Sequence, residues 1–243
     1  MYPSGVPQES VYNRILARLP AAEYQRLAPH LTRVQLKAGE VIYLPNRPIR
    51  HAYFPESAVL SQLATLQDGS TAGVGVVGRE GMLGIRLLYG AETAPHQAVV
   101  LAAGGAVRAR AGLLEEAARP GGPLHDLLHG FAQALLVQVR QSVVCNAHHS
   151  LSRRAARLLL MTSARTGSDE LRVTQEAIAH LVGTRRAGVN EAIGKFRRSG
   201  LVGQRRGRIM ILDRRGLEGA ACECYRIVKQ EYERLLGAEA LWG

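Results

Sequence analysis

The stretch Val173-Thr-Gln-Glu-Ala-Ile-Ala-His-Leu-Val-Gly-Thr-Arg-Arg-Ala-Gly-Val-Asn-Glu-Ala-Ile-Gly-Lys-Phe-Arg-Arg-Ser-Gly-Leu-Val202 reads as two short helices joined by a tight turn. The Thr174 hydroxyl can cap the first helix, although Ala177 lacks the carboxylate of a full capping box. Ala177, Ile178, Leu181 and Val182 form an apolar stripe at helical spacing. Gly183 falls where the chain must turn. The second helix starts near Arg185, buries Val189, Ile193 and Phe196, and turns Arg185, Arg186, Asn190, Glu191 and Lys195 the other way. A pair of this kind can place its second helix in the DNA major groove, where Arg185 or Arg186 meets guanine and Asn190 an adenine edge. Taken alone, the pair leaves a second reading open, a plain helical hairpin with a solvated basic face.

The next residues narrow the choice. Leu201 to Leu212 reads as two short strands around Gly207, with Arg205, Arg206 and Arg208 at the tip. A basic hairpin beside a basic helix is the pattern of a winged helix. Here the chain resembles the cyclic AMP receptor protein / fumarate-nitrate regulator (Crp/Fnr) family. The residues that carry the likeness are Thr174-Gln-Glu, Ile178-Ala, Leu181-Val-Gly, Arg186, Val189-Asn, Ile193, Phe196 and Ser199-Gly-Leu-Val. Asp213 to Glu218 and Cys222 to Tyr225 resemble the closing helix of such regulators.

Charge agrees with that reading. Of the formal +11, residues 1–147 carry 13 Lys and Arg against 10 Asp and Glu, and residues 148–243 carry 18 against 10. Within 172–215 the count is 11 against 3, so the excess lies on the expected winged helix. Such a patch attracts a polyanion, with salt-dependent binding. A membrane surface is the other candidate, but no basic amphipathic helix with bulky aromatics is present. No secretory signal and no apolar run of about 18 residues is visible. Three cysteines without a paired framework suit a reducing interior, so the expectation is a soluble cytoplasmic protein.

Upstream, Val11 to Leu19 and Pro20 to Leu31 give short helical patterns. From Arg33 the period changes to two. Strands are expected at 33–37, 41–44, 51–54, 57–66, 70–77, 97–102 and 105–110, with Asp68-Gly69 a hairpin signal. Close spacing of short strands argues for a sandwich or roll. A short helix over 111–118 is stopped by Pro120-Gly-Gly-Pro123. A long helix then runs from Leu124 to about His148, with Leu124, Leu127, Leu128, Phe131, Leu135, Val139 and Val143 forming a seam. The seam fits either packing on its own domain or a parallel dimer helix, and the family resemblance implies the dimer. Ser150-Leu-Ser152 breaks the pattern, Arg153 to Ala164 resumes it, and Thr166 to Glu170 is a polar turn.

The expected fold is α+β, an amino-terminal jelly roll (double-stranded β-helix), a dimerisation helix and a carboxyl-terminal winged helix-turn-helix. Its domains are 1–119, 120–148 and 149–243. The resemblance implies a homodimer on a palindromic duplex operator, with reading helices about 34 Å apart and RNA polymerase as a further partner. Arg185, Arg186, Asn190 and Lys195 would read or track the groove, while Thr174, Gln175, Arg205, Arg206 and Arg208 would hold phosphates. Ala187 and Glu191 depart from the family's reading residues, so the operator should differ from the usual TGTGA half-site.

The resemblance also implies an effector, a small molecule or nucleotide, in the roll. The family's cyclic-nucleotide cassette has a Glu for the ribose and an Arg for the cyclic phosphate. Here Met82 and His96 stand at those positions, and Val139 and Arg140 stand where hydroxyl residues read the base. Met is a weak acceptor and neutral His a weak phosphate clamp, so cyclic AMP by the usual route is not expected. Arg79, Arg86, His96 and Arg140 are the candidate contacts for another anion, such as a cyclic dinucleotide.

No catalytic set emerges. Ser57, Ser61 and Ser70 lack a nucleophile elbow, and Glu115-Glu116 diverge on a helix. Cys222 and Cys224, with Cys145 far upstream, show no fourth ligand, so no metal is assigned and buried or half-exposed thiols are expected. His125 and His129 stand four apart on the long helix, as residues of a helix seam often do, and no metal is assigned to them; His148-His149 is read as a pair favouring the helix dipole. Two readings from other classes stay open: a module that docks protein or RNA, and an enzyme with an unrecognised site in the roll.

Overall fold

A computed structural model describes residues 5–205 and 207–237. Two short helices, α1 (Arg14–Ala17) and α2 (Ala21–Leu27), lead into ten strands and seven further helices among the described residues. The sequence pattern over Val11 to Leu19 overstated α1. Asn13 starts it by accepting from the Ile15 and Leu16 amides, and the helix lasts one turn.

The period-two region folds into two antiparallel sheets. One is ordered β1 (Thr32–Leu36), β7 (Gly104–Arg110), β3 (His51–Pro55). The other is ordered β2 (Val41–Tyr43), β6 (Gln97–Ala102), β4 (Val59–Thr65), β5 (Thr71–Val77). Strands β6 and β7 follow each other with only Ala103 between them yet belong to different sheets, so the chain crosses between layers as a jelly roll does. Gly104 permits that crossing, because a Cβ there would lie 2.5 Å from the Ala58 nitrogen. Asp68-Gly69 closes the β4–β5 hairpin. Gly69 has φ +80°, and the Asp68 carboxylate accepts from the Ser70 amide at 2.9 Å. Leu36, Ala58, Leu60, Leu83, Ala98, Val100 and Ala106 pack together between the sheets.

Helix α3 (Ala111–Ala117) ends the roll, and α4 (Pro123–His148) runs for 26 residues. The expected seam divides along its length. Leu124, Leu128, Phe131 and Leu135 are buried in the chain's own core, whereas Val143 is 67% exposed and Leu136 and Val144 are each 48% exposed. Ser150 does not break the next helix but caps it, so α5 (Leu151–Thr166) begins before Arg153.

The helix pair is α6 (Gln175–Val182) and α7 (Arg186–Arg198). The wing is β9 (Val202–Arg205) and β10 (Arg208–Ile211). The polar turn after α5 yields one more element, β8 (Glu170–Leu171), which pairs with β10 and completes a three-stranded sheet. The described chain ends with α8 (Arg214–Ala220) and α9 (Cys224–Leu236), and α9 packs along α4. No described helix is long and apolar enough to cross a membrane.

A polar network absent from the sequence reading joins these parts. Arg165 of α5 and Glu80, just after β5, form an ion pair at 2.8 Å with both side chains wholly buried. The Arg165 guanidinium also donates to the Gln138 side-chain oxygen of α4 at 2.5 Å and lies 5.5 Å from the Tyr232 ring centre of α9. Gln138 in turn donates to the Val76 carbonyl at 3.1 Å. One buried guanidinium thus touches residues of the roll, α4 and α9. That demand for partners is what burial of a charge requires.

Candidate nucleic-acid interface

The first helix of the pair is set by its ends. The Thr174 hydroxyl accepts from the Ala177 amide at 3.1 Å, and Gly183 leaves α6 in the left-handed conformation at φ +63°. Arg154 of α5 donates to the terminal Val182 carbonyl at 2.9 Å. Ile178, Ala179, Leu181 and Val182 are buried, while Ala177 is only partly covered. Helix α7 begins at Arg186, with Arg185 as its extended cap residue, and buries Val189, Ala192, Ile193 and Phe196. Gly188 lets it approach α5, since a Cβ there would lie 2.8 Å from the Leu151 side chain.

Packing that stripe inward leaves the basic residues outward. Arg185, Arg186, Asn190, Glu191, Lys195, Arg197 and Arg198 are all exposed. Gln175 donates to Asn190 at 3.2 Å, which ties the start of α6 to the outer face of α7. Lys195 is bound to Glu191 at 2.8 Å, and that hydrogen bond holds the Glu191 carboxyl below its usual range. Lys195 therefore brings less free charge to the face than the sequence suggested. Arg208 of the wing is likewise paired, with Glu170 at 2.5 Å. Arg185, Arg186, Arg197, Arg198 and Arg205 have no ion-pair partner among the described residues. Arg206 lies outside the described residues. Arg197 and Arg198 were missed from sequence. Their signal was present as a basic pair in the last turn of the second helix.

The candidate effector residues stand on different segments of the described chain. Arg79 packs over Gly167 where the roll meets α5, and its burial lowers the guanidinium's affinity for its proton, against the pull of Glu80. Arg86 is exposed and donates to the Thr93 carbonyl at 3.0 Å, holding its own loop. His96 is half-buried just before β6, and Arg140 is exposed on α4. None of the four lines the cavity between β5, α4 and α5, the one between α2 and α3, or the one beside β1, β3 and β7. The most basic of those, about 330 Å³, is lined instead by His30, His51, Arg108 and Arg110, on the face of the β1-β7-β3 sheet that also carries Leu36 and Ala106. Met82 is fully buried. Phe131 of α4 sits on Gly81, where a Cβ would fall 2.1 Å from the ring.

A helix pair with an outward basic face, a three-stranded wing and a preceding jelly roll define a winged-helix DNA-binding protein. Residues 153–220 match the Crp-like helix-turn-helix domain. Among solved structures, a Crp/Fnr-family transcriptional regulator from Thermus thermophilus is similar at 25% identity. That match covers 78% of this chain and 98% of that one, with a TM-score of 0.62. FixK2 from Bradyrhizobium japonicum is similar at 16% identity, over 79% and 98% of the two chains, with a TM-score of 0.67. The c-di-GMP responsive global regulator CLP from Xanthomonas campestris is similar at 18% identity, over 80% and 100%, with a TM-score of 0.63. A comparison with curated protein sequences gives no match. Residues 153–220 thus carry a Crp-like helix-turn-helix domain, and the chain is a DNA-binding transcription regulator with the fold of Crp/Fnr regulators.

Proposed function

We propose that the protein works as a homodimer that reads a two-fold operator with α7 in the major groove and the wing on the flanking backbone. The observation that carries this is the outward face of α7, where Arg185, Arg186, Arg197 and Arg198 stand exposed without carboxylate partners among the described residues. Arg186, in the first turn, is placed as the base reader. Arg197 and Arg198, at the far end, and Arg205 in the wing are placed on phosphates, with Thr174, Gln175 and Arg208 beside them. Asn190 and the Glu191–Lys195 pair face the groove between these ends, and a carboxylate there suits a cytosine amino group. Arg186→Ala is expected to lose about 1–3 kcal/mol of discrimination at one base pair of the half-site. Mobility shifts against a library randomised one position at a time measure this. Equal weakening on every sequence would assign Arg186 to phosphate only.

The dimer reading rests on Leu136, Val143 and Val144, large apolar residues left exposed on α4. A two-fold pairing of α4 covers them and sets two copies of α7 one DNA turn apart. Val143→Glu places a charge in that seam and is expected to yield monomers at micromolar concentration in sedimentation, with near-native circular dichroism. An unchanged dimer would place the interface elsewhere.

We further propose that the roll does not take cyclic AMP by the family's usual route. The buried Met82, the scattering of Arg79, Arg86, His96 and Arg140, and the closure of Phe131 onto Gly81 support this. The protein is read as a regulator without catalytic activity, acting in the cytoplasm, with RNA polymerase as a further partner.

A further inference from the structure

Cys145 and Cys222 are 77 residues apart in the chain, yet their sulfurs lie 3.5 Å apart. Cys224 Sγ lies 3.4 Å from His149 Nδ1. All four donor atoms fall within 4.8 Å of one another, and the three cysteines are buried with His149 nearly so. Tetrahedral zinc, with bonds of about 2.3 Å to sulfur and about 2.0–2.1 Å to nitrogen, has sulfur–sulfur edges of about 3.8 Å and sulfur–nitrogen edges of about 3.6 Å. The two measured edges are within a few tenths of an ångström of those values. A four-iron cluster needs its thiolates farther apart, at the corners of a cube that must fit between them.

The surroundings suit a metal as well. His149 Nε2 lies 3.2 Å from the Glu223 carboxylate. An Nε2–H donated to Glu223 leaves the Nδ1 lone pair facing the thiols, the arrangement in which a carboxylate orients a metal-binding imidazole. Gln141 donates to Cys224 Sγ at 3.1 Å. Three thiolates around a divalent ion leave one net negative charge, and the Arg157 cation acts on Cys145 from α5.

We propose that Cys145, His149, Cys222 and Cys224 form a mononuclear Cys3His zinc site that clamps the end of α4 to the α8–α9 connection. Loading is a ligand exchange without redox change. The thiols release their protons to solvent as zinc–sulfur bonds form, and metal-bound water leaves. Cys145 and His149 come from the last turn and cap of α4, directly before the Ser150 cap of α5. The clamp therefore sits at the joint where the long helix gives way to the DNA-binding domain.

The test uses the full chain purified under reducing conditions. Elemental analysis is expected to find about one zinc per chain, and cobalt loaded into chelator-stripped protein should show the intense visible bands and sulfur-to-cobalt charge transfer of a tetrahedral thiolate site. Cys145→Ser is expected to abolish the charge-transfer band from one ligand. Glu223→Gln, at an exposed position that spares the fold, is expected to weaken metal binding about 10–100-fold. Chelation should lower the melting temperature and zinc should restore it. A pale six-coordinate cobalt spectrum, a Cys145–Cys222 disulfide in the reduced preparation, or a brown protein holding several irons would each overturn the assignment.

Discussion

Glu80→Ala is expected to destabilise the protein by about 3–5 kcal/mol, because it strands the Arg165 guanidinium without its carboxylate in a fully buried site. The remaining contacts to Gln138, the Met161 carbonyl and the Tyr232 ring cannot neutralise the charge. Urea titration should show a lower midpoint with an unchanged slope. The pair Arg26–Glu23 is the internal control. It lies on the surface, and its removal should change stability by about 1 kcal/mol or less. Replacing both members together, Glu80→Leu with Arg165→Met, should recover much of the loss, because the desolvation of both charges disappears with them. A Glu80→Ala loss as small as that of the surface control would show that water reaches Arg165.

Phe131→Ala should cost a similar amount, about 3–5 kcal/mol, through lost burial and the cavity left behind. Phe131 is completely buried and lies against Gly81, so the void opens between the roll and α4. The reverse change, Gly81→Ala, drives a methyl into the same ring and should also destabilise. Together the two variants should rescue each other in part, since the added carbon occupies space that the ring gave up. The coupling is read from a double-mutant cycle on unfolding midpoints. Strict additivity would mean that the two residues do not share a packing site.

The elements were readable wherever one local signal dominated. The change to period two at Arg33 placed the strands of the roll, and Gly207 placed the wing. Thr174 and Gly183 fixed both ends of α6 because capping and left-handed turns depend on neighbours in sequence. Strand β8 was missed because two residues have no periodicity, and Glu170–Leu171 is a strand only because β10 lies beside it. On α4 the apolar spacing gave the helix but not its environment. Phe131 and Val143 belong to one seam by pattern, and only tertiary packing buries the first and exposes the second.

Convergence across the chain was not readable at all. Glu80 stands in Gly78-Arg-Glu-Gly81, which looks like a solvated turn, and nothing local announces that Arg165 will meet it. The cysteines were seen, but a fourth donor was not, because His149 reads locally as a residue at a helix end. Arg185 and Arg186 at the start of α7 were legible, whereas Arg197 and Arg198 at its end and the pairing of the basic residues were not. Lys195 and Arg208 are held by Glu191 and Glu170, while Arg197 and Arg198 remain available.

Gly73 of β5 leaves room for hydrogen alone. A Cβ there would lie 2.6 Å from the Leu181 side chain and 2.9 Å from its backbone. Strand and helix α6 are thus in direct register, with no compressible spacer between them. A displacement of β5 by the width of a methyl group must push α6 along with it. Beside the Glu80–Arg165 pair, the roll and the reading head consequently share a mechanical contact through which strain can be handed on without any linker to absorb it.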